Sequence, residues 1–137
     1  MDGNDTSTFA GPGYTPDLDT LGRALSSDEA IIQDMLRAYA ERRAFMLPAL
    51  RELGFTCGNP AGAFYVYTNV EASGLSAPRF CERLLDEARV LVFPGTLFGD
   101  TDDRYIRLSL LQPIERMREA IDRIKAARDR IFVRPKA

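Results

Sequence analysis

Apolar residues recur at three- and four-residue spacing along much of the chain, and this spacing predicts amphipathic helices. The first predicted helix follows the cap candidates Ser27 and Asp28 and ends before Gly54, a residue type that is common after helix C-termini. Pro48 lies inside this helix and removes one backbone hydrogen bond, so we expect a kink near it. The apolar stripe comprises Ile32, Met35, Leu36, Tyr39, Met46, Leu50 and Leu53.

The same spacing predicts two further helices. One covers Ala77 to Ala88, and the other begins after Pro113, because proline suits the first turn of a helix. The apolar side of the first comprises Phe80, Leu84, Leu85 and Ala88. The apolar seam of the second comprises Ile114, Met117, Ile121, Ile124 and Ile131. Each helix therefore has one side to bury against another layer of structure.

The segments between these helices have the composition of β-strands. AFYVYTNV at residues 63–70 is rich in aromatic and β-branched residues, and VLVF at 90–93 is an apolar run that predicts a short buried strand. RYIRLSLL at 104–111 alternates between two faces. One face carries Ile106, Leu108 and Leu110, and the other carries Tyr105, Arg107 and Ser109. We therefore expect an α+β fold, a small two-layer sandwich with the order α-β-β-α-β-β-α.

Length and composition predict one folded domain flanked by two short segments. Residues 1–27 are rich in Gly, Pro, Ser, Thr and Asp and predict an irregular arm, residues 28–133 the domain and residues 134–137 a tail. We recognise no signal peptide, no transit peptide and no apolar run long enough to span a membrane. The lack of a targeting segment and of a disulfide framework predicts the reducing cytoplasm. The initial methionine and the arm predict a complete reading frame.

Charge and residue content narrow the chemistry. Lys and Arg number 18 against 20 Asp and Glu, and the net charge of −2 argues against nucleic-acid binding. The chain has no histidine and only two cysteines, Cys57 and Cys81, so we expect neither imidazole catalysis, nor a disulfide framework, nor a metal site. Lys125 and Lys136 are the only lysines, which leaves two candidates for any reaction that needs an amine nucleophile.

Arg107 places a guanidinium group in the middle of an apolar strand. The alternation assigns it to the face opposite Ile106 and Leu108, so it does not interrupt the core, and we expect that face to be open to something polar. A planar guanidinium pairs with a carboxylate through two hydrogen bonds and keeps its charge. Arg107 could therefore bind an anion. The simpler alternative is that it lies on a solvated strand face without a ligand.

Four sequence elements, taken together and in this order, resemble one enzyme family. They are AYAERRAF at 38–45, GNPAGAFYVYTNV at 58–70, VLVFPGTLFG at 90–99 and RYIRLSL at 104–110. From Ser27 to Ile131 the chain resembles the C-terminal small domain of class I/II (fold-type I) aminotransferases, which depend on pyridoxal phosphate (PLP). The resemblance implies that Arg107 forms a two-pronged salt bridge to the α-carboxylate of an amino- or keto-acid substrate. It also implies a pocket rim formed by Phe64, Tyr65, Phe98 and Tyr105.

The lysine on which PLP chemistry depends is not recognisable in this chain. In the family, a separate large domain supplies that lysine, the partner of the pyridinium nitrogen and the phosphate site. TSTFAGPGYT at residues 6–15 resembles the family's lysine loop, with Ser7 in the place of the lysine and Thr15 in the place of an arginine. The matching positions are Phe9, Pro12 and Gly13. A chance match is the alternative. If the alignment holds, it implies that the chain alone has no catalytic residue, binds no PLP and cannot transaminate.

Three functions remain open on this basis. The chain could be a truncated small domain or split subunit that lends Arg107 to a PLP-bearing partner. It could be a degenerate pseudoenzyme, a binding or scaffold subunit that buries a partner or a second copy, as a dimer, against the face bearing Tyr65 and Tyr67. It could also carry a PLP-independent reaction, although GDTDD at 99–103 is more simply interpreted as a solvated turn. The acid–base candidates for such a reaction are Asp100, Asp102, Asp103, Tyr65 and Tyr105.

Overall fold

Helix α1 spans Glu29–Glu52 in a computed structural model that describes residues 29–133. The helix is continuous through Pro48. Gly54 follows its end with a φ of +91°, a backbone conformation that glycine adopts without steric penalty, as the sequence predicts for a helix stop. The cap candidates Ser27 and Asp28 lie outside the described residues.

The chain divides into two compact units, Met1–Leu36 and Arg37–Ala137. In the first unit the structure describes residues 29–36, the start of α1, where Gln33 donates a side-chain hydrogen bond to Glu29 (3.0 Å). The exposed apolar residues of this segment are Ile31, Ile32, Met35 and Leu36. In the second unit the buried members of the predicted stripe are Met46, Leu50 and Leu53. The helix therefore buries its apolar side in its C-terminal half only.

Four short strands form one antiparallel sheet in the second unit. They are β1 (Thr56–Cys57), β2 (Tyr65–Asn69), β3 (Phe93–Pro94) and β4 (Tyr105–Ser109). The order across the sheet is β1-β2-β4-β3, so β4 has a neighbour on each side and β3 lies at an edge. In the register, Arg107 lies opposite Tyr67 of β2 and Phe93 of β3. Directly opposed residues project from the same face, so these three side chains share one face of the sheet.

The alternation predicted for β4 is confirmed by the burial of its side chains. The inner face comprises Val66, Thr68, Ile106 and Leu108, all of them buried. On the outer face Tyr65 and Tyr67 are exposed, and Arg107 is half-buried. The apolar positions thus join the core that the helices contribute to, and the face that carries Arg107 stays open.

Three helical segments complete the domain. Helix α2 spans Ala77–Ala88, α3 spans Ile114–Ala126 after Pro113, and the short α4 spans Arg128–Ile131. The predicted single last helix is interrupted at Ala127, although Ile131 remains fully buried as expected. The fold is α+β, and its elements follow one another as α, β, β, α, β, β, α, α. Within residues 29–133, no helix has the length and hydropathy needed to cross a bilayer.

Two predictions about burial are wrong. VLVF at 90–93 is not a buried strand, because only Phe93 of these residues pairs with β4, while Leu91 is 63% and Phe93 45% exposed. The segment belongs to the edge of the sheet, and an unbroken apolar run does not reveal that position. Leu85 of α2 is 44% exposed. Since successive helical residues are about 100° apart, Leu85 lies at the margin of the stripe that contains Leu84.

Three phenylalanine rings form the aromatic part of the core. Phe80 of α2 is 1% exposed, and its ring centroid lies 5.3 Å from that of Phe55 and 6.1 Å from that of Phe132, both in edge-to-face geometry. Phe55 and Phe132 stack on each other at 5.4 Å. The rings connect α2 with the segments that follow α1 and α4, so Phe80 holds three parts of the domain together.

The cysteines provide a test of this packing. Cys57 and Cys81 are both free and buried. Burial, with a smaller contribution from the negative charge of Glu82, raises the pKa of the Cys81 thiol from 9.0 to about 11. Because the thiolate is the reactive form, we expect native Cys81 at pH 8 to react with DTNB about 100-fold more slowly than an unfolded thiol. The variant Cys57→Ser leaves Cys81 as the only thiol, and guanidinium chloride should restore the fast reaction.

The same shift predicts how stability depends on pH. The folded state holds the Cys81 proton more tightly than the unfolded state, so this contribution to stability is complete below pH 9.0 and is lost as the pH rises through about 11. In the Cys57→Ser background, adding Cys81→Ala should therefore reduce the loss of stability over that interval. Equal losses in the two proteins, or fast labelling of the native thiol, would contradict the assignment.

Candidate carboxylate-binding site

Arg107 lies in the middle of β4 with two aromatic rings against its guanidinium group. Its Cζ atom lies 4.3 Å from the ring centroid of Tyr65 and 3.2 Å from the ring centroid of Phe98. Contacts of this kind use the face of the planar guanidinium group. The N–H donors lie at the edges of that plane, where a planar acid group can meet two of them at once.

The loop between β3 and β4 brings Phe98 to Arg107. A short 3₁₀ helix spans Gly95–Phe98, and Gly99 ends it with a φ of +88° and an N–H bond to the carbonyl of Gly95. Gly95 is buried, and a Cβ atom there would lie 3.3 Å from the carbonyl oxygen of Tyr105. Glycine at this position therefore lets the loop pack closely against the start of β4.

Arg107 has no polar partner among the residues that the structure describes. Within residues 29–133, its side chain makes no hydrogen bond and no ion pair. Arg104, in the turn just before β4, differs in this respect, because it pairs with Asp102 at 2.7 Å and with Glu71 at 3.5 Å. A half-buried guanidinium with free donors favours an anion, since the anion replaces the water that burial removes.

A cavity of about 250 Å³ opens beside Arg107 on the outer face. Among the described residues that line it, Arg107 is the only charged one, and the hydroxyls of Tyr65 and Ser109 are the other polar side-chain groups. The apolar residues of the lining are Leu91, Val92, Phe93, Leu108 and Leu111. The site therefore combines one cation with a largely apolar wall, the composition typical of small-molecule pockets.

Of the four residues predicted for the pocket rim, two contact Arg107 and two do not. Tyr65 and Phe98 contact Arg107 directly. Phe64 lies one step further away, because its ring contacts that of Tyr65 at 4.6 Å and stacks on Tyr39 at 5.8 Å. Tyr105 lines a separate hollow at the far end of β4, with residues of β1 and β2. The structure thus brings two of the four onto the guanidinium group.

Arg42 of α1 is a residue whose role the sequence did not reveal. It donates hydrogen bonds to the carbonyl oxygens of Leu110 (2.9 Å) and Leu111 (3.2 Å), just after β4. Its guanidinium carbon also lies 5.6 Å from the ring centroid of Tyr39, three residues earlier on the helix. The i, i+3 spacing within AYAERRAF indicates that the two share a helix face. Arg42 therefore fixes the end of the strand that carries Arg107.

The acidic loop before β4 is held together by its own side chains. Asp100 accepts a hydrogen bond from the backbone N–H of Asp102, and Asp102 accepts one from the backbone N–H of Arg104 (both 3.0 Å). Hydrogen bonds from Arg104 lower the pKa of Asp102 below its usual value. Among residues 29–133, no group of His, Cys, Asp or Glu could hold a metal ion. These contacts agree with a turn rather than an acid–base centre.

Comparison with known proteins identifies the family to which this sheet, loop and arginine belong. A sequence profile described as Aminotransferase class I and II matches residues 9–124, most of the chain. This chain is a member of the class I and II aminotransferases. The profile match begins inside the arm. The resemblance seen in the four motifs begins later, at Ser27, and extends to Ile131.

Relatives and solved structures of this aminotransferase family cover the same region. The aspartate aminotransferase of Pyrococcus horikoshii is 39% identical over 107 residues, which make up 76% of this chain and 27% of that relative. The crystal structure of an aromatic aminotransferase from P. horikoshii OT3 superposes with a TM-score of 0.71 at 33% identity, covering 76% of this chain and 28% of that one. The aspartate aminotransferase from Thermus thermophilus with maleate superposes with a TM-score of 0.67 at 32% identity. The match covers 76% of this chain and 26% of that one. The chain thus spans about a quarter of the length of these aminotransferases.

The described part of this aminotransferase chain does not fit the PLP coenzyme of the family. Lys125 of α3 is exposed and forms an ion pair with Glu52 at 2.9 Å, beside Phe45 and Arg118 in another cavity. Its partner and its surroundings are those of a surface lysine. Lys136 and Ser7, which stands in the predicted lysine position, both lie outside the described residues. Residues 29–133 therefore offer no amine suited to a Schiff base with PLP.

Proposed function

We propose that this chain provides the carboxylate-binding wall of an aminotransferase-type active centre, with Arg107 as the residue that binds the acid group of an amino- or keto-acid substrate. The lysine and the PLP site would come from a separate polypeptide segment that docks on the outer sheet face. The observation that carries the proposal is the state of Arg107, which contacts two aromatic rings and whose N–H donors have no hydrogen-bond partner within residues 29–133.

The geometry of this arrangement suits a carboxylate. A guanidinium edge and a carboxylate are both planar, and two parallel hydrogen bonds join them. Tyr65 and Phe98 restrict the orientation of the guanidinium group, so less conformational entropy is lost when the acid binds. In the same family, the Thermus thermophilus aspartate aminotransferase was solved with maleate, a dicarboxylate, which supports acid binding within this family.

The docking of a second segment is supported by the apolar residues of the outer face. Phe93 and Phe98 are 45% and 44% exposed, and Leu97 at the loop tip is 66% exposed. Exposed aromatic residues grouped on one face are typical of a surface that another protein covers. The chain spans about a quarter of the length of its relatives. The proposal assigns the rest of the active centre to the segment that docks on this face.

The exposed face also favours a second candidate, a binding or scaffold subunit that does not use PLP. In that case the same residues would bury a partner protein or a second copy of the chain, and Arg107 would stack or pair across the interface. The two candidates differ in one measurable property, because only the first requires a free carboxylate to bind at Arg107.

A titration with an acid and its uncharged isostere tests the first candidate. We expect propionate to shift the Arg107 Nε–Hε resonance of the purified ¹⁵N-labelled chain saturably, and propionamide, which has the same shape without the charge, to leave it unchanged. Equal responses to the two compounds would contradict carboxylate binding. No response to propionate, combined with dimerisation in sedimentation, would favour the scaffold subunit.

A reduction experiment tests whether the chain carries PLP by itself. After incubation with PLP and borohydride, we expect the mass of the native chain to stay unchanged at Lys125 and Lys136, apart from the slow labelling that any surface lysine undergoes. Stoichiometric attachment to either lysine would overturn the proposal that a partner supplies the amine.

A further inference from the structure

We infer that the acid bound at Arg107 is a monocarboxylate with an aromatic or branched apolar side chain. This inference rests on the proposed function and adds the substrate class. It follows from the apolar lining of the cavity beside Arg107, from the polar contacts that already occupy Arg104 and Arg42, and from the volume of the cavity.

The wall that a bound acid would meet is apolar. Phe93 lies opposite Arg107 in the register of β3 and β4, so its ring projects from the same face. That ring contacts Phe98 edge to face at 6.4 Å. Leu91 and Leu111, which are 63% and 51% exposed, line the same cavity and lose water when an apolar group enters. A substrate held by Arg107 thus has apolar surface next to it.

A second carboxylate would find no further cation among the described residues of this cavity. Within residues 29–133, Arg107 is the only charged residue of its lining. Arg104, just before β4, is already paired with Asp102, and Arg42 donates to the backbone carbonyls of Leu110 and Leu111. An acidic side chain of the substrate would lose hydration without gaining a partner, and this penalty discriminates against dicarboxylates.

The volume of the cavity suits one ring or one branched chain. It measures about 250 Å³. An apolar protein cavity of roughly 150 Å³ is large enough for benzene, so a phenyl group fits here with room for the carbon atoms that link it to the acid. Larger ring systems would exceed this volume and gain less per unit of their surface from burial.

The test compares three acids on the full 137-residue chain, with affinities measured by NMR. We expect 3-phenylpropionate to bind about tenfold more tightly than propionate, the gain from burying roughly 55 Å² of ring surface, and succinate to bind no more tightly than propionate. Leu111→Ala should reduce the tenfold preference to about threefold. Leu97→Ala, the matched control outside the cavity lining, should leave it unchanged.

The outcomes separate this inference from the proposed function. Equal affinities for all three acids, each abolished by Arg107→Gln, would overturn the inference about the side chain and leave carboxylate binding in place. Tighter binding of succinate than of 3-phenylpropionate would do the same. If none of the acids shifts the Arg107 resonance, the proposed function fails and the inference fails with it. A preference that Leu97→Ala reduces as strongly as Leu111→Ala would also overturn the inference, because it would assign the apolar contact to another surface.

Discussion

Replacing Arg107 with glutamine is expected to weaken the binding of 3-phenylpropionate by roughly 10- to 150-fold, because a hydrogen bond to a charged group contributes about 1.5–3 kcal/mol. Glutamine is shorter than arginine and keeps one amide NH₂ donor group, but it has neither the charge nor the two-pronged edge of the guanidinium. Arg107 makes no hydrogen bond within residues 29–133, so its removal breaks no polar contact there. The affinity, measured by NMR titration, should therefore fall while the fold persists.

Two further variants separate geometry from charge. Arg107→Lys retains the charge but not the planar edge, so we expect an affinity between those of the native chain and Arg107→Gln. Arg104→Gln removes a nearby cation in the chain, in the turn just before β4, which is paired with Asp102, and it should leave the affinity nearly unchanged. If Arg104→Gln weakens binding as much as Arg107→Gln, the general charge of the surface is responsible, and the assignment of Arg107 is wrong.

The position of Arg107 could be predicted because it depends on local geometry. Side chains of a strand alternate between faces, so the apolar residues Ile106 and Leu108 determine where Arg107 must lie. The bounds of α2, Ala77–Ala88, are also local, since proline near the start and a helical apolar spacing mark it. In both cases neighbouring residues alone carry the information.

The stacking of Phe98 on Arg107 could not be predicted in that way. It depends on the path of the loop between β3 and β4, which in turn depends on the positive φ of Gly99 and on the close approach of Gly95 to Tyr105. The reach of Arg42 to Leu110 spans 68 positions and has no local signal. The resemblance placed Phe98 and Arg107 in one pocket, but the contact between them is a property of the folded chain.

The errors in the sequence-based prediction have a common physical cause. VLVF and Leu85 are apolar, and apolar residues predict burial only when another layer covers them. VLVF lies at the edge of the sheet, where Leu91 and Phe93 are exposed while Val90 and Val92 pack against the core. Leu85 lies at the margin of a helix stripe and is exposed as well. Leu91 and Phe93, from that same edge segment, line the cavity beside Arg107. The failure of the burial prediction thus marks the surface on which the proposed function depends.

Replacing Phe80 with alanine is expected to lower the free energy of unfolding by about 3–5 kcal/mol, the range for deleting a buried aromatic ring. Phe80 is 1% exposed and contacts the rings of Phe55 and Phe132, so α2 would lose its aromatic anchor to two other segments. Domains of this size are stable by only about 5–15 kcal/mol, and the change should lower the melting temperature by roughly 10–20 °C. Denaturant titration followed by circular dichroism measures both the midpoint and the slope.

The exposed Phe93 provides the matched control for this effect, because the same ring is removed from the outer face instead of the core. Phe93→Ala should change the free energy of unfolding by less than about 1 kcal/mol, since Phe93 is 45% exposed and its ring contact is with Phe98. It should, however, reduce the affinity for 3-phenylpropionate, whereas Phe80→Ala should leave that affinity intact at temperatures where the variant is folded. Stability losses of equal size in the two variants would show that the outer face is buried in solution, and the open site around Arg107 would then have to be abandoned.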